Sequence, residues 1–282
     1  MLWRLVSNLN GIDQFRATDE PWALVTGASD GIGKSLCKVL AKRGFNVLLH
    51  GRDHRKLYKC CQELLAAHPS GKFELIVADA TQPATVQDVV TAVRGRPITV
   101  LINNAGYTTG PVQPLLTIDP EEIGRAISIG ITWTIQLTRA LLPRLVETQP
   151  SVIVNVGSYA ASHPPPFISV YTGTKGFLQA FSQSLRNEMR TIGHKGVEVQ
   201  YHEVYFCSTK SNGAPENLAT PSPNRMAHAI IAAVGSCKGH VVPYWVHELL
   251  SWLFLLVPER IISRIAGSVL ARKRTDTGTL WQ

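Results

Sequence analysis

The segment Trp22-Ala-Leu-Val-Thr-Gly-Ala-Ser-Asp-Gly-Ile-Gly-Lys34 constrains the fold more than any other stretch of this chain. A short apolar run leads into three spaced glycines, Gly27, Gly31 and Gly33, and then into a helical pattern. That order predicts a buried strand, a tight turn and a helix start. Glycines in such a turn let backbone N–H groups approach a phosphate at the helix N-terminus, where the dipole amounts to about half a positive charge. The G-x-x-x-G-x-G spacing differs from the commonest dinucleotide fingerprint. By itself a glycine cluster equally suits a plain connecting turn.

The alternation continues along the chain. Candidate strands are Ala23–Thr26, Asn46–His50, Phe73–Val77, Val100–Asn103, Val152–Val156, Val197–His202 and His240–Val242. Candidate helices between them are Lys34–Lys42, Arg55–Ala67, Ala84–Val93, Pro120–Val146 and Thr172–Thr191, with Pro143 expected to kink or end the fourth. This pattern predicts an α/β fold with a doubly wound parallel sheet. A length of 282 residues suits one such domain with extensions, and 45% hydrophobic content supplies its core.

Tyr171 and Lys175 carry the first chemical signal. They lie four apart, on one face of a helix. A free phenol titrates near ~10, too high for easy proton exchange at neutral pH. An ammonium at ~4 Å, at an effective dielectric of ~20, favours the phenolate by roughly 4 kcal/mol. Such a pair suits general acid/base work, but alone it also suits a solvated helix face. Three strand ends add polar groups: Asp79, the amides Asn103 and Asn104 before Gly106, and Ser158. Their plain readings are a turn or cap for Asp79 and side-chain bonding that locks a loop for the two asparagines.

Taken in order, Thr26-Gly27-Ala-Ser-Asp-Gly31-Ile-Gly33, Asp79, Asn103-Asn104-Ala105-Gly106, Ser158 and Tyr171-x-x-x-Lys175 resemble the short-chain dehydrogenase/reductase superfamily over roughly residues 21–210. The step of 13 residues from Ser158 to Tyr171 matches that family's usual spacing. The resemblance implies a Rossmann-type sheet and a nicotinamide cofactor. It implies Gly27, Ser29, Asp30 and Ile32 at the pyrophosphate, Asp79 at the adenine, Asn104 at a ribose and Thr209 at the cofactor amide. It also implies Ser158, Tyr171 and Lys175 as the catalytic set, with Tyr171 giving a proton and Lys175 lowering its pKa. The second strand ends His50-Gly51-Arg52-Asp53, with Gly51 where NAD-preferring relatives carry an acid. Arg52 suits a 2′-phosphate, so the expected cofactor is NADP(H). Asp53 would reverse that choice if the strand were shorter.

Two departures stand out. Counting back 13 residues from Pro143 puts Gly130 where relatives carry an Asn that holds a relay water. A glycine there marks close packing or a bulge, and Thr134 or a backbone carbonyl is the alternative water ligand. Val204-Tyr205 stand in place of the family's Pro-Gly, so Tyr205 either narrows the nicotinamide pocket or packs beneath the lid. These departures keep two rivals to ketone reduction: a repurposed NADP-binding enzyme doing dehydration or cyclisation, and a non-catalytic binding protein. Retention of both hydroxyls and the lysine argues against the latter. His163 is read as a loop residue near the pocket and His202 as a packed or capping residue.

The five cysteines, Cys37, Cys60, Cys61, Cys207 and Cys237, show no metal-ligand spacing and suit reduced thiols facing the cytosol. A net charge of +8 is read as helix faces, a phosphate-rich cofactor or anionic lipid rather than nucleic acid. The expected organisation is an N-terminal extension over 1–20, a catalytic domain over 21–243 with a mobile lid at about 205–225, and an apolar, basic extension over 244–282. The uncharged run Leu249–Pro258 has ten residues, too short to span a bilayer, and Trp245, Trp252 and nearby cations suit an interfacial helix. Met1–Val6 is too short for a signal peptide. Pro21-Trp22, His50-Gly51-Arg52, Gln136–Pro143 and Val257-Pro258-Glu259 resemble the very-long-chain 3-oxoacyl-CoA reductase and 17β-hydroxysteroid dehydrogenase branch. That branch implies lipid-like ketones at the endoplasmic reticulum membrane; a bulky apolar ketone of steroid- or polyketide-like kind is an equal alternative, and a homo-oligomer is a separate expectation.

Overall fold

A computed structural model describes residues 11–110, 112–210, 213–236 and 238–271. Met1–Val6, Asn212, Cys237 and Arg272–Arg274 lie outside the described residues. The strands are β1 (Trp22–Thr26), β2 (Asn46–Gly51), β3 (Phe73–Val77), β4 (Ile98–Asn103), β5 (Ser151–Val156), β6 (Val197–His202) and β7 (His240–Val241). All neighbours pair in parallel, in the order β3-β2-β1-β4-β5-β6-β7. The order reverses between β1 and β4, and ligands of such sheets bind at that switch, outside the carboxyl ends of the strands.

The helices are α1 (Gly31–Lys42), α2 (His54–Ala67), α3 (Val86–Ala92), α4 (Pro120–Ile127), α5 (Thr134–Glu147), α6 (Tyr159–Ser162), α7 (Ser169–Thr191), α8 (Pro223–Ala233), α9 (Trp245–Phe254) and α10 (Glu259–Ala271). Central strands are buried on both faces, which is why β1, β4 and β5 read as continuous apolar runs. One core packs α1, α2 and α8 on one side of the sheet, and Ile12 and Phe15, from a 3₁₀ turn at Gly11–Phe15, are buried in it. The other core packs α3, α5 and α7 around the fully buried Trp133.

Pro143 does not end its helix, which runs on to Glu147. The irregularity falls earlier: Ser128–Trp133 is a π-helical segment joining α4 to α5. Behind the site, Asn103 Nδ2 donates to Thr138 Oγ1 (3.1 Å) and Asn155 Oδ1 (2.8 Å), and Asn155 Nδ2 donates to Ser182 Oγ (2.8 Å). These buried polar groups tie β4 and β5 to α5 and α7, and paired groups of this kind hold one arrangement of the elements.

Candidate active site

The glycine turn after β1 is built against the end of β4. Gly27 and Gly31 have φ of +66° and +56°, which side chains with a Cβ rarely adopt. A Cβ on Gly33 would overlap the Gly27 carbonyl oxygen. Asn104 Nδ2 donates to Thr26 O (2.9 Å) and Gly27 O (3.3 Å), and the Asn104 and Ala105 N–H groups donate to Thr26 Oγ1. The Asn104 amide N–H therefore braces the turn. Asp30 caps α1 by accepting from Gly31 N (2.8 Å), so an acid side chain, which repels phosphate, is held at the helix start. The methyl of Thr209 lies beside Gly31, which brings the start of the 205–225 loop onto the turn.

β2 ends at Gly51, so Arg52 is the first residue beyond it and is exposed. No ion pair engages Arg52 among the described residues. Asp53 is the N-cap of α2, its carboxylate accepting from Lys56 N (3.1 Å). Asp79 locks its own turn by accepting from Thr81 N (2.9 Å). A turn whose glycines admit close backbone approach, followed by an unpaired guanidinium at the neighbouring strand end, fits a phosphorylated dinucleotide.

Ser158, Tyr171 and Lys175 come together at the carboxyl end of β5. Ser158 caps α6, its Oγ accepting from Ala160 N (3.2 Å). Tyr171 is half-buried, and burial raises its pKa while the nearby Ser158 side chain works the other way. Lys175 is buried, lies 5.8 Å from the centre of the Tyr171 ring, and donates to Val156 O (2.8 Å). Burial lowers the Lys175 pKa to about 8. The expected effect of Lys175 on Tyr171 is thus not what dominates here: the ammonium points to the strand-end carbonyl, and desolvation sets the phenol.

Gly130 sits in the π-helical segment where it crosses α7. A Cβ on it would lie 2.9 Å from Thr174 Cβ, one residue before Lys175. Both sequence readings of this glycine, close packing and a bulge, are realised together. The Thr134 hydroxyl is buried and donates to Ile129 O (2.9 Å), which leaves it only its acceptor lone pairs for a water.

Beyond Ser158 the site meets an aromatic cluster that joins three parts of the chain. Tyr159 stacks on His163 (4.8 Å between ring centres) and leans on Tyr205 (4.5 Å) and on Phe254 of α9 (5.5 Å). Tyr205 stacks on His247 of α9 (5.2 Å), so it packs against the C-terminal helices. Ile262 of α10 is buried in the same cluster, and Gly267 lies against Pro166. The outer faces of α9 and α10 and the link between them expose Trp252 (64%), Leu255 (75%), Leu256 (82%) and Ile265 (61%) beside exposed Arg260 and Arg264. Among the described residues no helix is long and apolar enough to cross a membrane.

Sequence reading missed Tyr201 and Glu203. Tyr201 is fully buried and bonds the Ser158 backbone; Glu203 is buried and accepts from Ser162 Oγ (2.6 Å). Their one signal in the sequence is Gly157 beside Ser158, a gap that means little until β5 and β6 are paired. His202 is a packed residue, its pKa lowered to about 3 by burial.

Residues 21–217 match the family described as short chain dehydrogenase. A very-long-chain 3-oxoacyl-CoA reductase of Coprinopsis cinerea is 32% identical, over 87% of this chain and 75% of that protein. Another, from Scheffersomyces stipitis, is 33% identical over 81% of this chain and 70% of its own length. A short-chain dehydrogenase from Sphingobium yanoikuyae, solved in complex with NADPH, superposes with a TM-score of 0.70 at 27% identity, covering 84% of this chain and 95% of that one. A 7β-hydroxysteroid dehydrogenase shares the fold, with a TM-score of 0.78 at 18% identity over 91% and 99% of the two chains.

Proposed function

Because the chain belongs to the short-chain dehydrogenase family, we propose that this oxidoreductase reduces a ketone on a bulky, lipid-like substrate with NADPH. The observation that carries the reading is the convergence of Ser158, Tyr171 and Lys175 at the end of β5, with the Lys175 ammonium 5.8 Å from the Tyr171 ring centre and bonded to Val156 O. Gly27, Ser29, Asp30 and Ile32 would hold the pyrophosphate, Asp30 through its backbone. Asp79 would hold the adenine, Asn104, Tyr171 and Lys175 the nicotinamide ribose, Arg52 the 2′-phosphate and Thr209 the amide. The chemistry that NADPH brings is hydride transfer to the carbonyl carbon. Ser158 Oγ orients the carbonyl oxygen by a hydrogen bond. Tyr171 gives its proton to the developing alkoxide, and its raised pKa keeps that proton in place at neutral pH. Charge stabilisation at such an oxygen is worth several kcal/mol. The loop at about 205–225 serves as the lid.

The relatives named very-long-chain 3-oxoacyl-CoA reductase support a long acyl ketone as substrate. The exposed apolar ridge with Arg260 and Arg264 supports peripheral contact with the cytosolic face of the endoplasmic reticulum. The test is NADPH absorbance with a series of 3-oxoacyl-CoAs and aryl ketones. Wild-type protein consumes NADPH, and Tyr171→Phe loses at least about a hundredfold in turnover. A second reading, non-redox chemistry on the same scaffold, draws on Gly130, which offers no side chain to a relay water. Substrate conversion without NADPH consumption would establish it instead.

A further inference from the structure

β6 and the two residues after it grip the segment that carries Ser158 at four points. Gly157 N donates to His202 O (2.8 Å) and Tyr159 N to Val204 O (2.9 Å), backbone pairs that do not depend on β6 side-chain identity. The other two depend on side chains. Ser158 N donates to Tyr201 Oη (3.0 Å), which in turn donates to Ser158 O (3.3 Å). Ser162 Oγ donates to Glu203 Oε2, which also faces His240 Nε2 at 2.8 Å. The Tyr201 ring stands edge-on to His240 (5.3 Å) and fills the space above Gly157, where a Cβ would overlap it.

One phenol thus holds both the N–H and the C=O of a single residue. Those two groups set the backbone angles of Ser158, and the backbone sets where the hydroxyl points. The Ser158 oxygen already accepts from Ala160 N, so the Tyr201 clamp and the cap together orient the hydroxyl toward Tyr171. A phenylalanine at 201 would fill the same volume and leave the Ser158 N–H unbonded, while the Ser158 carbonyl would keep only the Ala161 N–H (3.0 Å).

We propose that Tyr201 is a positioning residue for the reaction, fixing the Ser158 hydroxyl against Tyr171, and that residue 157 is glycine to admit its ring. The proposal rests on the catalytic assignment above. Loss of preorganisation at a reacting group costs rate rather than cofactor affinity. Tyr201→Phe is therefore expected to lower kcat for a long-chain 3-oxoacyl-CoA by about tenfold or more, with the KM for NADPH within about twofold. In a Ser158→Ala background the same change is expected to cost less than about twofold, because residues that act through one another are not additive. Equal losses in both backgrounds overturn the proposal. Glu203→Gln, which disturbs the clamp at Ser162, is the second variant, with a smaller loss that also vanishes without Ser158. Amide exchange over residues 157–162 is read independently of turnover: faster exchange in Tyr201→Phe is expected, and unchanged protection overturns the proposal. If Ser158→Ala and Tyr171→Phe keep full turnover, the catalytic assignment fails, and the exchange measurement still decides whether Tyr201 holds Ser158.

Discussion

Gly130 and Thr174 meet at the crossing of the π-helical segment and α7, with a Cβ on the glycine placed 2.9 Å from Thr174 Cβ and 3.2 Å from its Oγ1. The position where the family resemblance leads one to expect an asparagine is closed here by a neighbour's side chain. Overpacking of this kind costs about 1–3 kcal/mol. Gly130→Ala should lower the midpoint of thermal unfolding and also slow turnover, since Thr174 adjoins Lys175. Gly130→Asn should do worse and restore nothing. A variant as stable and active as the parent would show that α7 yields at this contact.

Burial places Lys175 near a pKa of about 8, below its ordinary 10.5. Above that value the folded protein holds a neutral amine, while the unfolded chain stays protonated to 10.5. The contribution of Lys175 to stability is therefore fully present only above the unfolded value and is lost as pH falls through about 8. Catalysis runs the other way, because the ammonium is the form that supports charge on Tyr171. The rate of ketone reduction is expected to fall as pH rises through about 8, and Lys175→Met should lack that limb. A flat profile across this range would remove the ammonium from the mechanism.

The end of β2 predicts cofactor choice. A Cβ on Gly51 would meet Leu57 no closer than 3.4 Å, so a Cβ is tolerated there. Gly51→Asp is expected to move preference from NADPH toward NADH. Arg52→Ala is expected to weaken NADPH by about tenfold or more, the worth of a charge-assisted hydrogen bond, and to leave NADH alone. Equal use of both cofactors by the parent would defeat the role given to Arg52; fluorescence titration with each nucleotide makes the comparison.

His50 is buried in a stack with Trp133, 4.6 Å between ring centres, and burial lowers its pKa from 6.5 to about 4. Its stabilising share is present above 6.5 and is lost as pH falls through about 4. The difference corresponds to something on the order of 3 kcal/mol. His50→Phe keeps a stacked ring and removes the titration, so its stability should decline less between those two values. Denaturant unfolding across that range checks it; parallel curves would place the acid limb elsewhere, for instance at His202.

The strand and helix bounds were legible because they rest on local signals. Gly27, Gly31 and Gly33 mark a turn, β1 and β5 read as apolar runs, and Asp53 is a cap whether or not its surroundings are known. Of the two effects expected of Pro143, ending the helix is ruled out because α5 carries on to Glu147, as the expected bound at Val146 already required. Tyr205 stayed ambiguous in the sequence because its partners, Tyr159 and His247, lie in other parts of the chain.

The sequence alone determined the order of the elements, the sheet type and the pairing of Tyr171 with Lys175, since spacing along one helix fixes which side chains share a face, while the family resemblance added Ser158 to that pair. Only the tertiary structure decided that Gly130 is closed by Thr174, that Phe254 and His247 of the C-terminal helices pack on Tyr159 and Tyr205, and that Tyr201 holds Ser158. Each of these joins residues from different elements. Tyr201 and Ser158 are 43 residues apart, and no local propensity encodes a contact that exists only once β5 and β6 lie side by side.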